Sequence, residues 1–94
     1  MNREENVLVI FKEMAHNISE QLLSDIALTT AINGEKLSFE KLMQKLKLLD
    51  RELTEKGVKV LESYKAETGT LPDDLTNGIK GVISTTVESF VKKL

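Results

Sequence analysis

Apolar residues in the first third of the chain recur at steps of three and four residues. They are Val7, Phe11, Met14, Ile18, Leu22 and Ile32. This spacing is typical of one face of an amphipathic helix, which turns by about 100° per residue. Asn2 and Glu5 have the spacing of a capping box, and Gly34 suits the position just past a helix C-terminus. The pattern therefore predicts a first helix over residues 3–33.

A second run with the same period follows a short polar segment. Its apolar positions are Phe39, Leu42, Leu46, Leu49, Leu53, Val60 and Tyr64. Steps of three and four residues are the pattern of a heptad-like seam. Ser38 is a suitable N-cap, and Leu37 and Leu42 have the spacing of a hydrophobic staple across it. With Gly69 at the end, the pattern predicts a second helix over residues 39–68.

The last quarter of the chain allows two interpretations. Asn-Gly followed by β-branched residues, in the stretch 77–90, is typical of a hairpin turn that leads into a strand. Strict alternation, however, leaves neither face of such a strand cleanly apolar. Thr70 and Asp73 have the spacing of a second capping box, and Pro72 suits the first turn of a helix. We therefore expect a third helix over residues 72–93.

These elements predict an all-α fold, an elongated antiparallel three-helix bundle formed by a long helical hairpin and a shorter third helix. The first two helices would each be about 45 Å long and the third nearer 33 Å. Pairing the helices around their short turn places Ile18 opposite Leu53 and Leu22 opposite Leu49. Asp25 would then lie beside Lys45, where it either forms an ion pair that fixes the register or occupies a solvated edge.

The first helix is apolar beyond its main stripe. Its additional apolar residues lie on the far side and on one flank: Val9, Leu23, Ala27, Ile10, Leu28 and Ala31. Soluble monomers rarely leave a large contiguous apolar patch in water. We therefore expect the third helix to cover one side and a second subunit or another protein to cover the rest. The alternative is that the third helix and the crossing geometry of the bundle bury most of these residues.

The third helix is unusually rich in small residues. Gly78, Thr85 and Ser89 lie along one line beside its apolar face, an arrangement that allows another helix to approach closely. The alternative is that small residues simply fit a crowded bundle. Together the two helices give the predicted partner-binding residues: Val9, Ile10, Leu23, Ala27, Leu28, Gly78, Gly81, Thr85 and Ser89.

Candidate chemistry is sparse. The one histidine, His16, falls opposite the apolar stripe of the first helix, where a surface residue is far more common than a catalyst. The sequence has no Cys and no calcium loop, phosphate loop or dinucleotide fingerprint. Adjacent carboxylates are explained by helix starts or solvated faces. We therefore expect no enzymatic activity, no cofactor and no metal site, and any catalytic alternative would centre on His16.

Basic residues concentrate on or next to the second helix: Lys36, Lys41, Lys45, Lys47, Arg51, Lys56 and Lys59. At helical spacing they divide between two sides of the seam, and Glu52 and Glu55 interrupt both groups. The net charge of the chain is -2, whereas phosphate neutralisation favours a basic surface. Nucleic acid is therefore an unlikely partner, and an accessory role beside nucleic acid is the second hypothesis for function.

Length and composition favour one folded domain over residues 1–94, with 30% charged and 40% apolar residues. The absence of Cys favours a reducing compartment, and the apolar run Val7 to Phe11 is too short for a signal peptide or a membrane span. We therefore expect a cytoplasmic protein without membrane contact. Its expected function is that of a helical protein–protein interaction module, such as an adaptor, a chaperone, an inhibitor or an immunity- or antitoxin-like protein, with a homodimer as one option.

Overall fold

Three helices account for most of the chain, and each packs against the other two. The computed structural model describes residues 2–94, in which α1 spans Arg3–Asn33, α2 spans Phe39–Thr68 and α3 spans Asp73–Lys93. No strand occurs within these residues. The principal extents of 51 × 23 × 19 Å describe an elongated body. The predicted all-α three-helix bundle is confirmed.

The ends of α1 and α2 are set by local hydrogen bonds. The Asn2 side chain accepts from the Glu5 backbone N–H at 2.8 Å, and the Ser38 side chain accepts from the Lys41 backbone N–H at 3.3 Å. Each helix ends at a glycine with positive φ, 72° at Gly34 and 78° at Gly69. Glycine adopts this left-handed conformation without the strain that a Cβ would impose. Local sequence therefore determines where α1 and α2 begin and end.

The start of α3 differs from the expected capping box between Thr70 and Asp73. The helix begins at Asp73, with Pro72 as an extended N-cap that provides no side-chain hydrogen bond. Thr70 is therefore two residues too early to cap the helix. Its carbonyl instead accepts a hydrogen bond of 3.0 Å from Thr68 Oγ1 at the end of α2. A proline restricts the preceding residue to extended conformations, which moves the helix start past it.

The core is formed where all three helices meet. Its fully buried large side chains are Phe11 of α1, Leu49 and Leu53 of α2, and Leu75, Ile79 and Phe90 of α3. Leu22 belongs to the same cluster as Leu49 and Leu53, and Ile18 packs against that cluster. The pairing expected for the hairpin is therefore compatible with the observed core.

Asp25 is exposed and occupies the solvated edge rather than forming an ion pair. Its carboxylate accepts from Gln21 Nε2 at 3.1 Å. Within residues 2–94, the ion pairs join Arg3 to Glu67 and Lys93 to Glu20, so Asp25 has no partner at Lys45. The register of the hairpin is therefore set by apolar packing.

Gly57 allows the three helices to approach one another closely. A Cβ at this buried position would lie 2.9 Å from Ile79 Cγ2, 3.4 Å from Ile83 Cδ1 and 3.5 Å from Phe11 Cζ. Real Cβ atoms essentially never approach a neighbour within 3.0 Å. The Ile79 methyl group therefore occupies the space that any larger residue at Gly57 would need.

α3 covers only part of the hairpin. Its Gly78 lies against Leu8 of α1, and its Lys93 reaches Glu20, so α3 runs parallel to the first two-thirds of α1. With 21 residues against 31 in α1 and 30 in α2, it ends before the turn of the hairpin. About ten residues at the end of α1, or about 15 Å of helix, extend beyond it.

Replacing Gly57 with Ala should lower the free energy of unfolding. Overpacking against Ile79 costs about 1–3 kcal/mol, which over most of that range is more than the roughly 1 kcal/mol that Ala gains over Gly in a helix. The matched control is Gly81→Ala, because no atom lies within 4 Å of a Cβ built there. That variant should be stabilised by about 0.5–1 kcal/mol. Urea unfolding followed by circular dichroism measures both, and equal stabilisation would contradict the close approach at Gly57.

Lys93→Gln should raise the pKa of Glu20. In the native protein the hydrogen bond and charge of Lys93, at 2.8 Å, hold the pKa of this carboxyl below its ordinary value of 4.5. The ion pair therefore contributes its stabilisation above that ordinary value and loses it as the pH falls through the lowered pKa. An NMR titration of the Glu20 side chain tests this, with Lys92→Gln as the control. A Glu20 pKa unchanged by Lys93→Gln would mean that the ion pair does not form in solution.

Candidate interaction surface

Large apolar side chains are exposed on α3 and on several parts of the hairpin. Four of them belong to its closed end: Leu28 and Ile32 at the end of α1, and Phe39 and Met43 at the start of α2. Their exposed fractions are 60%, 74%, 76% and 37%, respectively. Each pair is four residues apart and therefore occupies neighbouring turns of its helix. We call these four residues the hairpin end.

A second apolar surface is a groove between α1 and α2. Its floor consists of Val7, Ile10, Met14, Val60 and Tyr64, and its volume is about 370 Å³. No residue of α3 contributes to its lining, so the groove lies on a side of the hairpin that α3 does not cover. Ile10 is the most exposed apolar side chain in it, at 58%. We call this surface the α1–α2 groove.

The polar rim of the α1–α2 groove is predominantly basic. Arg3 forms an ion pair with Glu67 and lies 5.9 Å from the centroid of the Tyr64 ring, within the range of a cation–π contact. Lys56 and Lys59 also line the groove. Neither lysine has a carboxylate oxygen within 4.0 Å in the described part of the chain. The rim therefore has two cations without an ion-pair partner.

The predicted partner-binding residues of α1 fall in different places. Ile10 lines the α1–α2 groove, and Leu28 belongs to the hairpin end. Ala27 is exposed one residue before Leu28. Val9 is 43% exposed beside Lys12, Glu13, His16 and Asn17, outside the groove. Leu23 is only partly exposed because it packs against the core cluster.

One of the four predicted partner-binding residues of α3 already contacts another helix of the chain. Gly78 is used inside the chain, since a Cβ there would meet Leu8 Cδ2 at 2.7 Å. Gly81 is exposed, with nothing within 4 Å of its Cβ direction, and Thr85 and Ser89 are also exposed. The close approach of a helix at Gly78 is therefore already made by α1. A role in partner binding for Gly81, Thr85 and Ser89 stays a prediction.

Several surface residues were assigned to the core or to a solvated rim by their sequence pattern. Ile32 and Phe39 continue the apolar seams of α1 and α2, yet they are the two most exposed large apolar residues. Met14, Val60 and Lys56 form part of the groove, although the first two have core-like spacing. For the end of the hairpin, the available signal was the length of α3, which at 21 residues is too short to reach the turn. The sequence also offered a signal for the burial of Gly57, because this residue occupies the apolar-seam position of α2 between Leu53 and Val60.

The basic residues of α2 divide between two surfaces. Lys56 and Lys59 line the α1–α2 groove, whereas Lys45, Lys47 and Arg51 surround a shallow depression formed by α2 alone. Its remaining lining residues carry no charge. Lys36 and Lys41 are exposed near the start of α2. The seven residues therefore do not form one continuous basic face.

The candidate for acid–base chemistry lies on the surface of α1. His16 is exposed beside Val9, Lys12, Glu13 and Asn17. The described residues contain no group of three side chains suited to bind a metal ion. Within the same part of the chain, no helix has both the length and the hydrophobicity that crossing a bilayer requires.

Comparisons of the chain with protein-family models, with curated proteins and with solved structures found no match. Function is therefore inferred from the hairpin end and the α1–α2 groove, which the fold leaves open.

Proposed function

We propose that the protein is a small helical interaction module that binds another protein, or a second copy of itself, by helix–helix docking. The observation that supports this most directly is the exposure of the hairpin end. Ile32 and Phe39 have the spacing of core positions, but they are 74% and 76% exposed, and both lie beside the turn of the hairpin. A helix from a partner would cover this end of the hairpin.

The driving force for docking is the removal of apolar surface from water. Each Å² of apolar surface that is buried contributes about 25 cal/mol. Leu28 and Ile32, four residues apart on α1, have the spacing of the anchors that helix recognition uses. Roles compatible with this mode of binding are those of an adaptor, a chaperone, an inhibitor and an immunity- or antitoxin-like protein.

The proposal includes no catalysis and no cofactor, and it keeps the expected cytoplasmic location. His16, the one candidate for acid–base chemistry, is exposed, with Lys12 and Glu13 beside it in its depression and Glu20 one helical turn away. A catalytic base is normally held and tuned by a surrounding site. If a reaction were found that His16→Ala abolished without loss of partner binding, this part of the proposal would be wrong.

Light scattering across a dilution series at two salt concentrations tests docking to a second copy. If the hairpin end binds itself, the mass should exceed 10.5 kDa at high protein concentration and should hardly change with salt, because apolar burial is weakly screened. Leu28→Glu should shift the population towards monomer while keeping the helical content, since Leu28 is 60% exposed. Leu23→Glu is less suitable because Leu23 packs against the core. Val58→Glu, at a 48% exposed site elsewhere on α2, is the control.

A monomer at every concentration would exclude the second copy and leave another protein as the partner. Affinity capture from the source cell with wild type and with Leu28→Glu then tests that option. A protein retained by the wild type and by Val58→Glu, but not by Leu28→Glu, is the expected result. If neither self-association nor such selective capture depends on Leu28, docking at the hairpin end is contradicted.

Nucleic-acid association is the second candidate function, and one observation favours it. Lys45, Lys47 and Arg51 surround one depression whose lining contains no carboxylate. Phosphate binding there should weaken steeply as salt rises, because counterions are released when phosphates are neutralised. Fluorescence anisotropy with a short duplex DNA and a short RNA tests this, with Lys47→Glu as the variant. Under the main proposal, no salt-dependent binding that requires Lys47 is expected.

A further inference from the structure

We propose that the α1–α2 groove binds a short amphipathic helix whose apolar stripe is flanked by acidic residues. This inference deepens the proposed function, on which it rests, by naming a site and the chemistry of its partner. The site is separate from the hairpin end. It lies at the opposite end of the molecule, near the start of α1 and the end of α2.

The geometry of the groove suits a helix. The groove runs from Arg3 to Met14 along α1, which is about 17 Å or three helical turns. The two helices that form its walls are antiparallel neighbours, and α3 lies on another side of them. A helix laid into the groove would therefore convert the three-helix bundle locally into a four-helix arrangement. Such packing inserts side chains at steps of three and four residues into the surface between two helices.

An open groove favours a helix over a small apolar molecule. Small-ligand sites usually bury about 70–90% of their ligand. Here the central floor residue Ile10 is itself 58% exposed, and no residue of α3 closes the groove from above. A helix needs to bury only its apolar face and keeps its polar face in water.

The charge of the groove determines which residues should flank the apolar stripe of the bound helix. Among its lining residues, Arg3, Lys56 and Lys59 are cations and Glu67 is the one carboxylate. Glu67 is already paired with Arg3, which leaves the two lysines. Glu52 and Glu55 precede Lys56 and Lys59 by one helical turn, but neither carboxylate comes within 4.0 Å of them. The groove is thus locally positive in a chain with a net charge of -2.

The same charges disfavour a second copy that binds groove to groove. In a twofold dimer the same patch meets itself, so Lys56 and Lys59 would approach their own counterparts. Like charges placed together across an interface oppose binding and select against the wrong partner. Acidic residues on a different protein would instead meet both lysines and leave the floor residues to bind apolar anchors.

Two synthetic helices of about four turns test the inference. Both have Leu at steps of three and four residues, and they differ only in having Glu or Lys on the flanks of that stripe. Isothermal titration calorimetry with the full chain should show about tenfold tighter binding of the Glu helix, the ratio that two or three exposed ion pairs together supply. The preference should decrease as salt rises.

Substitutions inside and outside the groove test whether the helix binds there. Ile10→Glu should weaken binding of the Glu helix by about tenfold or more. Val9→Glu, at the neighbouring exposed position outside the groove, should leave this affinity unchanged. Lys56→Glu with Lys59→Glu should reverse the preference towards the Lys helix. Lys47→Glu with Lys80→Glu has the same net charge outside the groove and should keep the original preference. Circular dichroism checks that every variant keeps its helices, and Ile10→Gln replaces Ile10→Glu if that variant unfolds.

Different outcomes overturn different statements. Equal binding of both helices, lost in Ile10→Glu, would overturn the acidic partner but support helix docking. Binding of dodecanoate and of neither helix would make the groove a site for a small amphiphile and overturn the inference. No binding of either helix, with self-association or capture still dependent on Leu28, would overturn the inference and leave the proposed function intact. If Leu28 has no effect either, both are overturned.

Discussion

A helical hairpin buries one stripe of each helix against the other, and its two outer sides need separate cover. In this protein that cover is a single shorter helix. The contact of Gly78 with Leu8 and the ion pair of Lys93 with Glu20 show that α3 lies along the first two-thirds of α1. The rest of the hairpin extends beyond it. The length and position of α3 therefore decide which apolar residues become core and which remain exposed.

The position of α3 depends in turn on a residue without a side chain. Gly57 lets Ile79 of α3 come into contact with α2 while Phe11 of α1 approaches the same point. A larger residue there would push α3 outward at the level where the three helices converge. Close packing leaves no empty volume to absorb such a change. The arrangement of the bundle and the surfaces that it leaves open thus share one origin.

The two open surfaces differ in character. The hairpin end consists of large apolar side chains that project into water, and the α1–α2 groove combines an apolar floor with a basic rim. Apolar surface provides affinity with little selectivity, whereas an uncompensated charge favours one class of partner and disfavours another. A module with both would have one surface suited to general helix docking and one that discriminates by charge.

The sequence by itself determined the helices and most of their ends. A period of three and four residues identifies the stripe of each helix, and Asn2, Ser38, Gly34 and Gly69 define caps through contacts only a few residues apart. Only at Pro72 did a local rule give the wrong capping partner. Tertiary structure decided the rest. It leaves Ile32 and Phe39 exposed, brings Gly78 against Leu8 of α1, and places Lys56 beside a groove. Periodicity reports which face of a helix is apolar. It does not report how far along that face a helix remote in sequence extends, because that depends on contacts such as Gly57 with Ile79.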